Sequence, residues 1–130
     1  RAALVRTGKP WVIENVMGAP MRQDLMLCGL MFDLMLFRHR KFEVSGFSVD
    51  QPKHIPHGDL RVQGYRHGAF REGESMGLYG GGGGKADLGK WQAAMGIFHT
   101  RNWHSLSEAI PPPYSQHVGT ALMKKLLDRA

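Results

Sequence analysis

The sequence has a single cysteine, Cys28, in 130 residues. That excludes an internal disulfide framework and fits a reducing compartment. It contains no apolar run of about 18 residues, so no membrane-spanning helix is expected. No secretory signal stands at its start. Acidic residues are the scarcer charge, 11 Asp and Glu against 17 Lys and Arg, for a net +6. This favours a polyanionic partner such as nucleic acid, though only modestly, because the charge is spread along the chain. Apolar periodicity is missing from Ser45–Gly84, where Gly, Pro, His and charged residues dominate. What is plentiful is glycine, 17 residues, with 7 prolines, so much of the chain is expected to be loop. The length suffices for one domain with a core. The first residue is Arg1 rather than Met, and the chain is expected to be a piece of something longer.

Pro10–Val16 is the most informative stretch. Trp11, Val12 and Ile13 form a short apolar, β-branched run between Gly8-Lys9-Pro10 and Gly18-Ala19-Pro20, which reads as a fully buried strand. Ala2–Thr7 reads as the last turn of a helix that Gly8 caps and Pro10 stops. Helix, Gly turn and apolar strand make the second half of a βαβ unit, and so an α/β fold. Glu14 and Asn15 stand at the carboxyl end of that strand. Burying a carboxylate costs several kcal/mol unless it is paired or neutralised, and ligands in open α/β sheets sit beyond the carboxyl ends of strands. Glu14 therefore either turns to solvent or serves a site.

Further along, Leu25–Cys28 reads as a short strand ending at Gly29, with Cys28 a small buried hydrophobe rather than a nucleophile. Arg38-His39-Arg40-Lys41 is a compact basic knot. On a strand, Arg38 and Arg40 share one face and His39 and Lys41 the other. Two adjacent guanidinium groups either grip an anion or a base edge or discourage aggregation at a solvated edge. His54 and His57, with no cysteine or acidic ligand at useful spacing, do not make a metal site, and none is expected. Arg61, Arg66, His67 and Arg71 can reach a phosphate backbone or form a solvated loop surface. Gly80–Gly84 followed by Lys85 imitates a phosphate-binding loop, but Tyr79 and Ala86 stand where that pattern needs Gly and Ser or Thr; a hinge is the better reading. Asp87 can cap a helix over Leu88–Met95, which Gly96 ends. Ser105–Ile110 reads as a short turn of helix. Pro111-Pro112-Pro113 starts a last helix, with Tyr114, Val118, Ala121, Leu122 and Leu126 spaced to pack on a core.

Several pieces in this order resemble the carboxyl-terminal part of DNA cytosine-5 methyltransferases, especially the compact phage and prophage type. They are Glu14-Asn15-Val16 within Pro10–Pro20, Leu27-Cys28-Gly29 with Met31-Phe32, Arg38-His39-Arg40 with Phe42-Glu43, Ala94-Met95-Gly96-Ile97, and Ala109-Ile110-Pro111-Pro112-Pro113-Tyr114. The resemblance covers about residues 3–46 and 76–127. It implies a partial Rossmann-like, S-adenosylmethionine-dependent fold. Residues 1–46 would be the second half of the catalytic sheet, and residues 47–85 a short irregular target-recognition and Gly-rich region. Residues 86–130 would be helices returning to the catalytic domain. It implies a cytoplasmic enzyme of a bacterium or phage-infected cell, of the restriction-modification kind, acting on double-stranded DNA.

By the same resemblance, an enzyme cysteine attacks carbon 6 of a cytosine flipped out of the duplex, and the methyl group passes from S-adenosylmethionine to carbon 5. Glu14 matches the glutamate that contacts ring nitrogen 3 and the exocyclic amine, and Asn15 the asparagine that holds the local backbone. Arg38 and Arg40 match the paired arginines that help hold the flipped nucleotide. Ala109 and Ile110 match the segment lining the cofactor pocket; Arg61, Arg66 and Arg71 are candidate DNA contacts. The chain departs from the family in lacking a Gly-rich cofactor loop and a Pro-Cys nucleophile motif. Ser107-Glu108 also replaces the Gly-Asn before the final helix. Cys28 follows the Glu-Asn-Val motif and is not the nucleophile. The chain is thus expected to be an enzyme fragment, inactive alone and completed by a segment carrying those motifs. The alternative is a non-enzymatic basic remnant that binds DNA or a partner chain.

Overall fold

The structure, a computed structural model, describes residues 1–58, 60–66, 69–77 and 88–128. The Gly80–Gly84 run, Tyr79, Lys85, Ala86, Asp87 and His67 lie outside the described residues, as does the side chain of Arg66. The fold is mixed α/β. Helix α1 (Ala2–Arg6) leads through Gly8, at φ +63°, into strand β1 (Trp11–Asn15). Strand β2 (Leu25–Leu27), a 3-10 turn (Gly29–Phe32) and strand β3 (Arg40–Ser45) follow. Strand β3 lies between the other two and runs antiparallel to both, in the order β1-β3-β2. Strands β1 and β2 therefore run parallel to each other with β3 between them.

Three features differ from expectation. Strand β1 is only half-buried from Trp11 to Glu14. Among the described residues only β3 pairs with it, so its second edge lacks a neighbour to cover it. Strand β3 starts at Arg40, leaving Arg38 and His39 in the irregular lead-in. The region read as irregular holds a second small sheet of β4 (Val62–Arg66), β5 (Ala69–Arg71) and β6 (Ser75–Met76), in the order β5-β4-β6. Among the described residues, a bridge from Leu36 to Met76 ties it to the first half of the chain.

The helices close the structure over two apolar cores. Helix α2 (Leu88–Met95) and helix α3 (Trp103–Glu108) bury Trp91, Met95 and Leu106 against Leu36, Met76 and Ile97. Asn102 caps α3 by accepting the His104 and Ser105 amides, the favoured use of Asn at a helix start. Helix α4 (Pro112–Leu127) begins on the proline run, as prolines in a first turn allow. Tyr114 and Val118 of α4 pack on Leu25, Leu27, Phe42 and Val44 of the first sheet. Leu126 is exposed instead of packed; the α4 residues buried in this core are Tyr114 and Val118, near its start.

Gly29 marks a close approach. A Cβ there would collide with the Leu36 carbonyl oxygen and stand 2.9 Å from the Leu36 Cβ. That explains glycine at the corner where the chain folds back from β2.

The opposite face of β3 carries Lys41 and Glu43. Lys41 donates to the Ala19 and Met21 carbonyls, holding the turn after β1. Glu43, 1% exposed, accepts from Arg1 at 2.8 and 2.6 Å, with Arg22 3.6 Å away. The Arg1 hydrogen bonds, with the charges of Arg1 and Arg22, hold the Glu43 carboxyl below the usual glutamate value of 4.5. A carboxyl whose folded value is depressed contributes stability above its unfolded value and loses it as pH falls through the folded one. We therefore expect Glu43→Gln to lower the denaturation midpoint at pH 7 and to flatten the loss of stability below pH 4.5. Urea titrations across that range read both effects; parallel acid profiles for variant and wild type would exclude Glu43 as the source.

Candidate functional site

The carboxyl end of β1 places Glu14 opposite Phe42 of β3. Directly paired residues share a face, and so do residues two apart on a strand. Glu14, Phe42 and Arg40 therefore lie on one face, the face covered by α4. Arg40 Nε stands 3.0 Å from Glu14 Oε1. The two charges are in contact, yet their alignment does not make a hydrogen bond, and Glu14 Oε1 has none from any other group. Arg40 Nη1 donates to the His39 carbonyl, which fixes the guanidinium. Asn15 Oδ1 accepts the Val16 amide at 2.8 Å and so holds the turn where the strand ends.

Arg38 is 2% exposed and donates from Nη2 to the Ser107 carbonyl of α3 at 2.6 Å. Its own carbonyl accepts the Tyr114 hydroxyl at 2.6 Å. The lead-in to β3 is thereby clamped to both carboxyl-terminal helices. Burial, then the neighbouring Arg40, lowers the Arg38 pKa to about 10, which leaves it charged at neutral pH. Burial pushes the Glu14 carboxyl above its usual range, against the opposing pull of Arg40 and then Arg38. The anion beside Arg40 is thus Glu14 itself, and desolvation outweighs the pull of both positive charges. The site holds a carboxyl that keeps its proton to higher pH than an exposed glutamate.

Ala109 and Ile110 are half-buried and belong to different cores, Ala109 against Leu106 and its neighbours and Ile110 against the Tyr114 group. They offer a cofactor an apolar wall and no side-chain donor. Arg61 and Arg71 are exposed and line one open groove with Leu60, Val62 and Glu72. The fold thus brings Glu14, Arg38 and Arg40 together, and Arg61 with Arg71 in a separate place.

Sequence spacing misses a second constellation. Cys28 Sγ lies 3.4 Å from His57 Nε2, and His39 Nε2 lies 3.1 Å from His54 Nε2. One potential ligand atom from each of these four residues falls within 4.8 Å of every other. No cysteine stands at useful spacing from His54 and His57 in the sequence; the fold brings Cys28 to His57 from 29 residues away. The His57 ring stacks on Phe37 at 4.0 Å. Burial lowers the pKa of His39 and of His57, helped by neighbouring histidines.

The chain matches no protein-family model, no curated protein and no solved structure. Among the described residues, no helix is long and apolar enough to cross a membrane.

Proposed function

We propose that this chain is the carboxyl-terminal portion of a cytoplasmic DNA cytosine-5 methyltransferase of the restriction-modification kind, with a Rossmann-like catalytic domain. The observation that carries the reading is Glu14, a partly buried carboxyl at the carboxyl end of a strand, 3.0 Å from Arg40, whose pKa burial raises. That chemistry suits a flipped cytosine. A carboxyl that retains its proton can donate to ring nitrogen 3, and its other oxygen can accept from the exocyclic amine. Protonating nitrogen 3 makes carbon 6 more electrophilic towards an attacking cysteine thiolate. Arg40 keeps Glu14 oriented and, with side-chain atoms still exposed, can meet the nucleotide. Arg38, committed to the Ser107 carbonyl, positions the lead-in to β3. S-adenosylmethionine, when bound, supplies the methyl group; this chain contributes Ala109 and Ile110 as an apolar wall to its pocket.

On this reading the nucleophile and the Gly-rich cofactor loop would come from a segment outside these 130 residues. The half-buried β1, with one edge unpaired among the described residues, is where the rest of the sheet would dock. Exposed Val5, Val16 and Met17 lie beside it in sequence. Labelled-methyl transfer to duplex DNA tests the reading. The chain alone should give no transfer, and adding the upstream segment that bears the Gly-rich loop and Pro-Cys motif should restore it. Transfer by the chain alone overturns the fragment assignment. No transfer by the folded, assembled pair favours the non-enzymatic DNA- or partner-binding remnant.

A further inference from the structure

We propose that Cys28, His39, His54 and His57 form a structural zinc site that clips the loop after β3 onto the first sheet. The inference does not depend on the methyltransferase reading. Zinc takes thiolate and imidazole ligands in a tetrahedron with bonds of about 2.0–2.3 Å, which places neighbouring ligand atoms about 3.3–3.8 Å apart. The observed separations include 3.4 Å for Cys28 Sγ to His57 Nε2 and 3.1 Å for His39 Nε2 to His54 Nε2, and none exceeds 4.8 Å. Closing onto an ion therefore needs side-chain shifts of the order of an ångström, not a rearrangement of the backbone.

The donor set fits a borderline-soft divalent ion and not magnesium or calcium, which take oxygen ligands. Binding requires neutral imidazoles and a thiolate. Cys28 would release its proton to solvent, and one thiolate against zinc leaves a single net positive charge. Four protein ligands fill the tetrahedron, leaving no open position for a water nucleophile, so the role is structural. The alternative, a Cys28–His57 nucleophile and base, fails on access, since Cys28 is 0% exposed and no substrate reaches its sulfur.

The ligands come from three places. Cys28 follows β2, His39 precedes β3, and His54 and His57 sit on the long connection towards β4. That connection is otherwise tied down by Gln51 on the Met26 backbone and by the Asp50 carbonyl on His117. Crosslinking it through a metal fixes the origin of the second sheet relative to the first. The Phe37 ring stacked on His57 orients the imidazole for this purpose.

The test is zinc titration of the chelator-stripped 130-residue chain against a chromophoric competitor, with cobalt(II) as a spectroscopic substitute. The expected result is one equivalent of zinc, intense visible bands of tetrahedral cobalt, and a thiolate-to-cobalt charge-transfer band that Cys28→Ser abolishes. Because Cys28 is buried and its replacement could impair folding, His54→Ala at an exposed position is the second variant. It should weaken zinc binding more than about tenfold, since even outer-shell partners of a metal are worth about 10–100-fold. Zinc should also raise the thermal midpoint of wild type more than that of His54→Ala. Absence of stoichiometric binding, an octahedral cobalt spectrum, or equal affinity in wild type and His54→Ala overturns the site.

Discussion

On the proposed methyltransferase reading, Glu14→Gln is expected to slow methyl transfer by about 10²–10⁴-fold in an assembled enzyme, the range associated with a positioned acid or base. Glutamine keeps the size of the side chain and its capacity to hydrogen bond, but its amide does not transfer a proton to a ring nitrogen. Duplex binding should stay nearly unchanged, because binding draws chiefly on phosphate contacts. Single-turnover transfer of a labelled methyl group, beside an equilibrium binding titration, separates the two. Unchanged turnover removes Glu14 from the chemistry. The pH profile supplies an independent reading. Arg40 pulls the Glu14 carboxyl down while burial pushes it up. Removing that charge in Arg40→Ala should move the limb set by Glu14 to higher pH, whatever the variant does to the absolute rate.

The largest loss of stability is expected at Tyr114. Its side chain is 0% exposed, its ring lies 5.3 Å from that of Phe32, and its hydroxyl donates to the Arg38 carbonyl. Burial drives the hydroxyl pKa well above its ordinary value, so it remains a donor throughout the working range. Tyr114→Phe keeps the ring and takes the donor from a buried carbonyl, which should cost about 1–3 kcal/mol. Tyr114→Ala also opens a cavity between α4 and the first sheet, and large-to-small changes of an aromatic in a core cost about 3–5 kcal/mol. Urea denaturation of both variants gives the two contributions by difference. Equal stability of Tyr114→Phe and wild type would show that the hydrogen bond to Arg38 contributes nothing net, leaving the α4 anchor to ring packing alone. Because Arg38 is also fixed to Ser107, loosening the Tyr114 end should disturb the Glu14 pocket more than an equally destabilising change at Leu106 in the other core.

Parts of this structure are written in local sequence. Gly8 and Pro10 mark the end of α1, Trp11–Ile13 declare a strand, Gly96 ends α2, and the proline run starts α4. Each depends on backbone preferences within a few residues. The second sheet is not written that way. Val62–Arg66 has no apolar alternation, and its strand is held by backbone pairing with nearby Ala69–Arg71 and with Ser75–Met76. Leu126 shows the converse, an apolar position at helical spacing that the structure leaves exposed.

The candidate sites divide in the same manner. Sequence by itself determined the residue types at stake, a carboxylate closing an apolar strand, two arginines one residue apart, and a proline-led helix. Only tertiary structure decided that Glu14 pairs across from Phe42, which brings Arg40 to 3.0 Å, and that burial outweighs that arginine's charge. It also decided that Cys28 meets three histidines. Strand register and chain return join groups tens of residues apart, and no local spacing rule carries that information.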